Sequence, residues 1–447
     1  MRKAAFLILL VVLGIGLFPA ASAQNTVEIT FTHIFTDDLR KAEVQKLVDE
    51  FMAQNPGIVV NVQAESDDYG QVFDAALLAA SQGNAPHVVQ VEDTLSQLAI
   101  DSTYFIKLSD YATADELATV SDILPAIRNY YGMDTNEFWG VPWNSSNPLL
   151  YYNREMFEQA GLDPDSPPTT FAELMTACEA IMSANIEGLT ACANWPVTSW
   201  FTEQWLSMEG VLFANNDNGR SGRVTEVLWD TPEMLGILSW WKDMADKGYF
   251  TYTGSTEAYT GEAITFLSKG TAIHITSTAG LTNLLSFSQA QGFTLGIAQL
   301  IKPTEESNNG VTAGGAALFV TAGHPDAEIQ AAVDFVFFMT STDSIVQWHK
   351  GTGYLPNRQS AVDILEAEGW FEANPPFRIA LNQLLSASES NPANAGAIMG
   401  PYGQVRDVHN EAVQSMIDGG SAPEEALAAA KVRADQLIKD YNSVIGE

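Results

Sequence analysis

Apolar and polar residues alternate from Val27 to His33, and then Leu39, Val44, Leu47, Val48, Phe51 and Met52 recur three and four apart until Asn55-Pro56-Gly57 interrupts them. The first pattern has the two-residue period of a strand, the second the 3.6-residue period of a helix. A second strand is expected at Ile58 to Val62, a second helix over about Gln71 to Gln82 ending at Gly83, and a third strand at His87 to Val91. Strand, helix, strand, helix, strand opens a parallel α/β sheet, whose ligands gather beyond the C-terminal ends of the strands. Tyr69, ahead of the second helix, and Glu92 and Asp93, after the third strand, fall on that edge.

Further along, the period turns helical. "TTFAELMTACEAIMSA", "PEMLGILSWWKDMADKG" and "GEAITFLSKG" each carry an apolar stripe and a turn signal. A strand at Ala272 to Thr276 leads into Ser277-Thr278-Ala279-Gly280, and after "VTAGGAALFVTAG" the chain reads as nearly all helix from Asp326 through Tyr441. Thr304 to Asn309 reads as a polar loop, and no internal repeat is visible. "WNSSNPLLYYN", Trp143 to Asn153, fits neither pattern. Pro148 keeps Asn147 out of a helix, and Leu149, Leu150, Tyr151 and Tyr152 have the bulk and stiffness of a buried strand. The hydroxyls before them therefore sit at a strand mouth, where loops carry function.

The start of the chain changes the compartment. Arg2 and Lys3 precede an apolar run from Leu7 to Phe18, too short to span a bilayer comfortably, and Ala21-Ser22-Ala23 is the small-residue pattern at which export signals are cut. Residues 1–23 are expected to be a signal peptide cleaved after Ala23, and a soluble periplasmic protein is expected to follow. Losing Arg2 and Lys3 leaves 19 Lys and Arg against 55 Asp and Glu, a balance of −36. Such a surface repels nucleic acid and anionic membranes, so an anion site has to be built locally against the overall field. In an oxidising compartment Cys178 and Cys192 form either a disulfide or a pair of buried thiols. At 447 residues and 46% hydrophobic, the chain can bury a large core, and its length suits two domains.

Candidate chemistry is sparse. Gly314 and Gly315 directly precede an apolar strand, where they either bring a backbone N–H close to a ligand or form a bulge. "WHKGTGYLPN", Trp348 to Asn357, is a helix stop and loop without a phosphate-loop or dinucleotide signature. Arg406, near the start of a helix, suits either a fork-shaped contact to a phosphate or carboxylate or an ordinary surface ion pair. No GxSxG or HExxH occurs, and "SWWK" lacks its companion motifs; Trp240 and Trp241 suit the buried face of a helix. The six histidines are scattered without metal-ligand spacing, so neither a metal nor another cofactor is expected.

Five blocks in order, "WNSSNPLLYYN", "AGLDPDSPPTTFAEL", "GGAALFV", "WHKGTGYLPN" and "QVRDVHNEAVQSMIDGGSAPEEALAAA", resemble the extracellular solute-binding proteins that feed ABC importers, a family that includes maltose-binding proteins, and within it the branch that takes glycerol phosphates. The resemblance runs over almost the whole mature chain. It implies a two-domain, maltose-binding-protein-like α/β fold with a ligand cleft between the lobes, assigned here as 24–132 plus 276–329 and 133–275 plus 330–447. It also implies a non-enzymatic, monomeric receptor that delivers sn-glycerol 3-phosphate or a glycerophosphodiester to the transmembrane subunits of a permease. The alternatives are an oligosaccharide receptor, with Trp143, Trp195 and Trp200 as a stacking platform, and a secreted phosphodiester hydrolase. Carried over position by position, Ser146, Thr278, Gly315, Tyr354 and Arg406 would hold the phosphate. Tyr69 and Asp93, or Glu92 in its place, would hold the glycerol, and Trp195, with Trp200 as rival, would pack over it.

Overall fold

The computed structural model describes residues 26–133, 137–388 and 390–445. The expected signal peptide lies outside them. The strands are β1 Val27–Thr32, β2 Ile58–Gln63, β3 Val88–Glu92, β4 Gly140–Ser146, β5 Pro148–Asn153, β6 Ala191–Asn194, β7 Phe250–Thr251, β8 Thr271–Ser277, β9 Leu295–Gln299 and β10 Gly314–Val320. They form two five-stranded sheets, β2-β1-β3-β10-β4 and β7-β6-β8-β5-β9.

Both sheets follow one plan. Three neighbouring strands run parallel, a fourth runs antiparallel beside them, and a fifth pairs antiparallel with the fourth. In the first sheet the parallel strands are joined by the helices Asp38–Gln54 and Tyr69–Ser81, which the sequence periodicity predicts. Asp68 caps the second of these by accepting the Gln71 N–H at 2.8 Å, and this fixes Tyr69 in the first turn, above the end of β2. Leu149 and Tyr151 of β5 pack in one apolar core while Leu150 and Tyr152 pack in the other. Burial on both faces is why this strand reads as a continuous apolar run.

The lobes divide differently from the expected ranges. β4 lies inside 133–275, yet it pairs with β10 at the edge of the first sheet, and β9 lies inside 276–329 but pairs with β5 in the second. The helix Asp326–Met339, which straddles residue 330, and the helix Thr342–Thr352 beyond it pack on β1 and the helix Asp38–Gln54 of the first lobe. The cause is where the chain crosses. It passes from one sheet to the other at Asn147, between β4 and β5, and returns between β9 and β10.

Asn147 is tied down at that crossing. Its N–H donates to Thr278 Oγ1 at 3.3 Å, its carbonyl accepts the Thr278 N–H at 2.9 Å, and its Nδ2 donates to the Ala380 carbonyl at 2.9 Å. Cys178 and Cys192 form a disulfide between the helix Phe171–Ser183 and β6. No single helix among the described residues is long and apolar enough to cross a membrane.

Candidate functional site

The C-terminal ends of the first sheet's parallel strands face the second lobe, and the acidic pair Glu92-Asp93 follows β3 there. Opposite Glu92 in the antiparallel register stands Ala316 of β10, preceded by Gly315 and Gly314, which pair with Ser145 and Ser146 of β4. The double glycine forms a bulge, and its N–H is turned to a side chain. The β10–β4 register shifts at Ala316/Ala317, and the Gly315 N–H donates to Asp93 Oδ2 at 3.0 Å. Gly315 has φ of +130°, and a Cβ there would lie 1.9 Å from the Asn144 carbonyl oxygen, so only glycine fits.

Tyr69 joins this wall through Asn144, whose Nδ2 donates to the phenol oxygen at 2.9 Å while its Oδ1 accepts from Gln90 Nε2 at 2.9 Å. Burial, and then the neighbouring Tyr354 and Glu92, hold the Tyr69 phenol well above its ordinary value. Tyr354 lies over Trp348, with ring centroids 5.6 Å apart, and is brought in by the Leu355 N–H, which donates to the Ser145 carbonyl at 2.8 Å.

The second lobe supplies a buried cation that faces Asp93. Arg406, on the helix Tyr402–Ile417, donates from Nε and Nη2 to the two carboxylate oxygens of Glu203 at 2.9 and 2.6 Å, and its guanidinium lies 4.9 Å from the Tyr402 ring centroid. Across the seam its Nη1 stands 3.9 Å from Asp93 Oδ1, outside hydrogen-bond range. Burial raises a carboxyl group, but Arg406 outweighs it at Glu203 and holds that group below its usual value. At Glu92 burial wins, with help from Asp93, and raises the carboxyl to about 8; burial likewise raises Asp93 to about 6.

Glu257 is raised by burial too, although Arg406 opposes it. It adopts φ of +54°, uncommon for a residue with a Cβ, and is held there by its N–H on the Val197 carbonyl at 3.1 Å and by Asn410 Nδ2 at 3.2 Å. The buried Tyr131 phenol, next to Asp93, Glu92 and Tyr354, has no hydrogen-bond partner among the described residues. It is a polar group that a ligand would satisfy.

Tyr69, Asp93, Ser146, Gly315, Tyr354 and Arg406 thus line one seam, with Thr278 buried beneath it as the partner of Asn147. The donors expected for a phosphate are partly taken: the Gly315 N–H by Asp93, and the Arg406 fork by Glu203. Trp195 is corrected. It is fully buried in the second lobe's core, among Trp205, Trp240, Trp241 and Phe250, with centroids 4.4 to 6.1 Å away. Its rival Trp200 reaches the cleft, because Thr198 caps the helix Ser199–Glu209 and turns the indole against Gly314, where a Cβ would lie 2.8 Å from Nε1. Trp143 is buried in the first lobe's core, stacked on Trp348 at 4.7 Å. Glu203 carries no sequence signal, since it lies 203 residues from its partner.

The scattered histidines do meet at one place, at the opposite end of β3, where His87 and His324 stack with centroids 3.9 Å apart beside Glu328. His87 Nδ1 accepts the Thr30 N–H at 3.0 Å, so its proton is on Nε2 and points to Glu328 Oε2 at 3.0 Å. His324 Nε2 faces Thr321 Oγ1 at 2.8 Å, and that hydroxyl donates to the Pro86 carbonyl, so this ring too carries its proton on Nε2. Only one ring lone pair is left facing the carboxylate, which makes the group a hydrogen-bonded strut.

Two lobes, each an α/β sheet, meeting at a seam of hydrogen-bonding side chains define a solute receptor. The chain belongs to the bacterial extracellular solute-binding protein family, whose model matches residues 46–378, and it is a substrate-binding receptor of an ABC importer. It is 28% identical over 436 residues, 96% of each chain, to the sn-glycerol-3-phosphate-binding periplasmic protein UgpB of Escherichia coli K12. Among solved structures it is similar to UgpB from Mycobacterium tuberculosis in complex with glycerophosphocholine (TM-score 0.76, 19% identity, 93% of this chain and 99% of that one). It is equally similar in fold to the GacH receptor of Streptomyces glaucescens, solved unliganded and with acarbose (TM-score 0.76, 21% identity, 93% and 99%).

Proposed function

We propose that the cleft captures sn-glycerol 3-phosphate or a glycerophosphodiester and that the closed receptor delivers it to the permease. The observation that carries this is Arg406: a buried guanidinium at the interlobe seam, fixed along one edge by Glu203, with Nη1 left over at 3.9 Å from Asp93. A phosphoryl oxygen arriving there gains a charged donor, and displacing Asp93 from the Gly315 N–H frees a second one. The carboxylates of Glu92 and Asp93 and the Tyr69 phenol then accept and donate to glycerol hydroxyls. Closing the lobes removes water and strengthens each of these contacts. The same reading has residues 1–23 removed on export and the receptor working as a monomer in the periplasm, without catalysis.

A second reading, an oligosaccharide receptor, is favoured by one feature: the Trp200 indole stands at the seam against Gly314, and an indole there suits the apolar face of a neutral sugar. Thermal shift of the purified mature protein separates the two, because ligand bound to the folded state raises the melting temperature. A rise with sn-glycerol 3-phosphate or glycerophosphocholine is expected. A rise with maltotriose and none with either phosphate overturns the proposal, and release of choline from glycerophosphocholine by the purified protein would make it a hydrolase instead.

A further inference from the structure

We propose that Glu203 is a specificity-determining residue that makes this cleft select a singly charged phosphodiester over a doubly charged phosphomonoester. The inference rests on the glycerol-phosphate reading of the site and narrows it.

Glu203 belongs to the same lobe as Arg406, and the pair is buried together, with side chains 4% and 8% exposed. Both carboxylate oxygens are committed to the guanidinium, and the Ser199 hydroxyl donates to Oε1 at 2.5 Å. The charge of Arg406 is therefore compensated inside its own lobe before a ligand arrives, by the Glu203 carboxylate, which the Ser199 hydroxyl helps to hold. Asp93 approaches the remaining nitrogen from the other lobe, with Glu92 adjacent to it in the chain and Glu257 also within the field of Arg406. Arg40, which reaches the seam beside Tyr354, is likewise paired, with Asp37, so Nη1 of Arg406 faces several carboxyl groups.

A phosphodiester carries one negative charge throughout the neutral range. A phosphomonoester carries about −1.5 to −2 at pH 7. Nη1 can meet one charge, but a second finds only Arg40, beside Tyr354 and already paired with Asp37, and faces carboxylates across the seam, where like charges repel strongly. Glu203 also occupies the edge of the guanidinium that a dianion would grip with two oxygens, and so removes the contact that best rewards the second charge.

The test is titration calorimetry at pH 8 on the purified mature protein with sn-glycerol 3-phosphate and with glycerophosphoglycerol, a diester without a cationic group. The wild type is expected to bind the diester at least tenfold more tightly. Glu203→Gln, which keeps the shape but removes the charge and leaves the guanidinium one acceptor instead of two, is expected to shift that ratio at least tenfold toward the monoester, while Glu203→Asp keeps the wild-type preference. A wild-type preference for the monoester overturns the inference without any variant, and so does a Glu203→Gln change that weakens or strengthens both ligands by the same factor. Binding of maltotriose with neither phosphate overturns the glycerol-phosphate reading itself, a result distinct from loss of selectivity within it.

Discussion

Two arginines sit at the junction of the lobes and are used in opposite ways. Arg406 is held by side chains: Glu203 in its own lobe, Asp93 across the seam, and the Tyr402 ring beneath. Arg220 is held by backbone. Its Nη2 donates to the carbonyls of Asn129 at 2.9 Å and Tyr130 at 3.3 Å in the first lobe and to Ala395 in the second, and its Nη1 donates to Gly396 at 2.5 Å and Asn218 at 3.3 Å. Carboxylates push Arg406 well above its ordinary value, whereas burial without an acidic partner lowers Arg220 to about 10. Side-chain partners can reorganise when a ligand arrives, and Arg406 keeps an uncommitted nitrogen. Carbonyl partners cannot be withdrawn without moving the chain. On the proposed reading Arg406 is re-paired by the ligand, whereas Arg220 ties the carbonyls of Asn129 and Tyr130 to those of Ala395 and Gly396, beside a cavity of about 590 Å³.

The sharpest way to break this contrast is to remove each side chain in turn. Arg406→Ala should cost about 2–5 kcal/mol of affinity for glycerophosphocholine, the range for truncating one partner of a buried charged pair. Calorimetry that finds the affinity unchanged would remove Arg406 from the site. A loss of stability must not be mistaken for a loss of binding, and the disulfide supplies the control. Cys178→Ser with Cys192→Ser, which opens a loop of 14 residues, should lower the unfolding free energy by about 3 kcal/mol in urea while leaving affinity alone. Arg220→Ala should behave as the disulfide variant does. It uncovers carbonyls that the adjoining cavity lets water reach, so about 2 kcal/mol of stability is expected to go, within the usual penalty for unsatisfied buried groups. A large affinity loss with unchanged stability would put Arg220 in the site and erase the distinction.

The contrast also shows what a linear chain reveals. The strand and helix periods around β1 to β3 are local, and they placed Tyr69, Glu92 and Asp93 on one edge because side-chain direction in a strand or helix follows from spacing alone. Resemblance added Gly315, Tyr354 and Arg406, which local pattern leaves ambiguous. Neither source found Glu203, since an ion pair between residues so far apart leaves no spacing to read. Trp195 and Trp200 show the same limit on a smaller scale. Both follow β6 in "CANWPVTSW" and both are buried in the second lobe, and only the Thr198 cap, by setting where the next helix starts, decides that Trp200 and not Trp195 reaches Gly314 of the other lobe. The lobe boundaries failed for a related reason: β4 and β9 choose sheets by pairing across the fold, which composition does not record.

The smallest effect concerns the acidic wall opposite Arg406. Glu92 and Asp93 are raised in the folded protein, Glu92 to about 8 and Asp93 to about 6, by burial and, for Glu92, also by its neighbour Asp93. A folded state that holds protons more tightly than the unfolded chain is favoured where those protons are bound. The contribution is therefore complete below the ordinary carboxylate range, near pH 4, and is lost as pH rises through about 6 and then about 8. The unliganded receptor should be more stable at pH 5 than at pH 8. The excess of acidic residues over the whole surface gives a slope of the same sign, so the informative quantity is a difference between proteins. Glu92→Gln cannot ionise and should flatten the wild-type slope by about 1–2 kcal/mol between those two pH values, read from urea unfolding. Parallel slopes for the two proteins would mean that Glu92 is already ionised in the empty cleft, and that the wall facing Arg406 carries more negative charge than its burial allows.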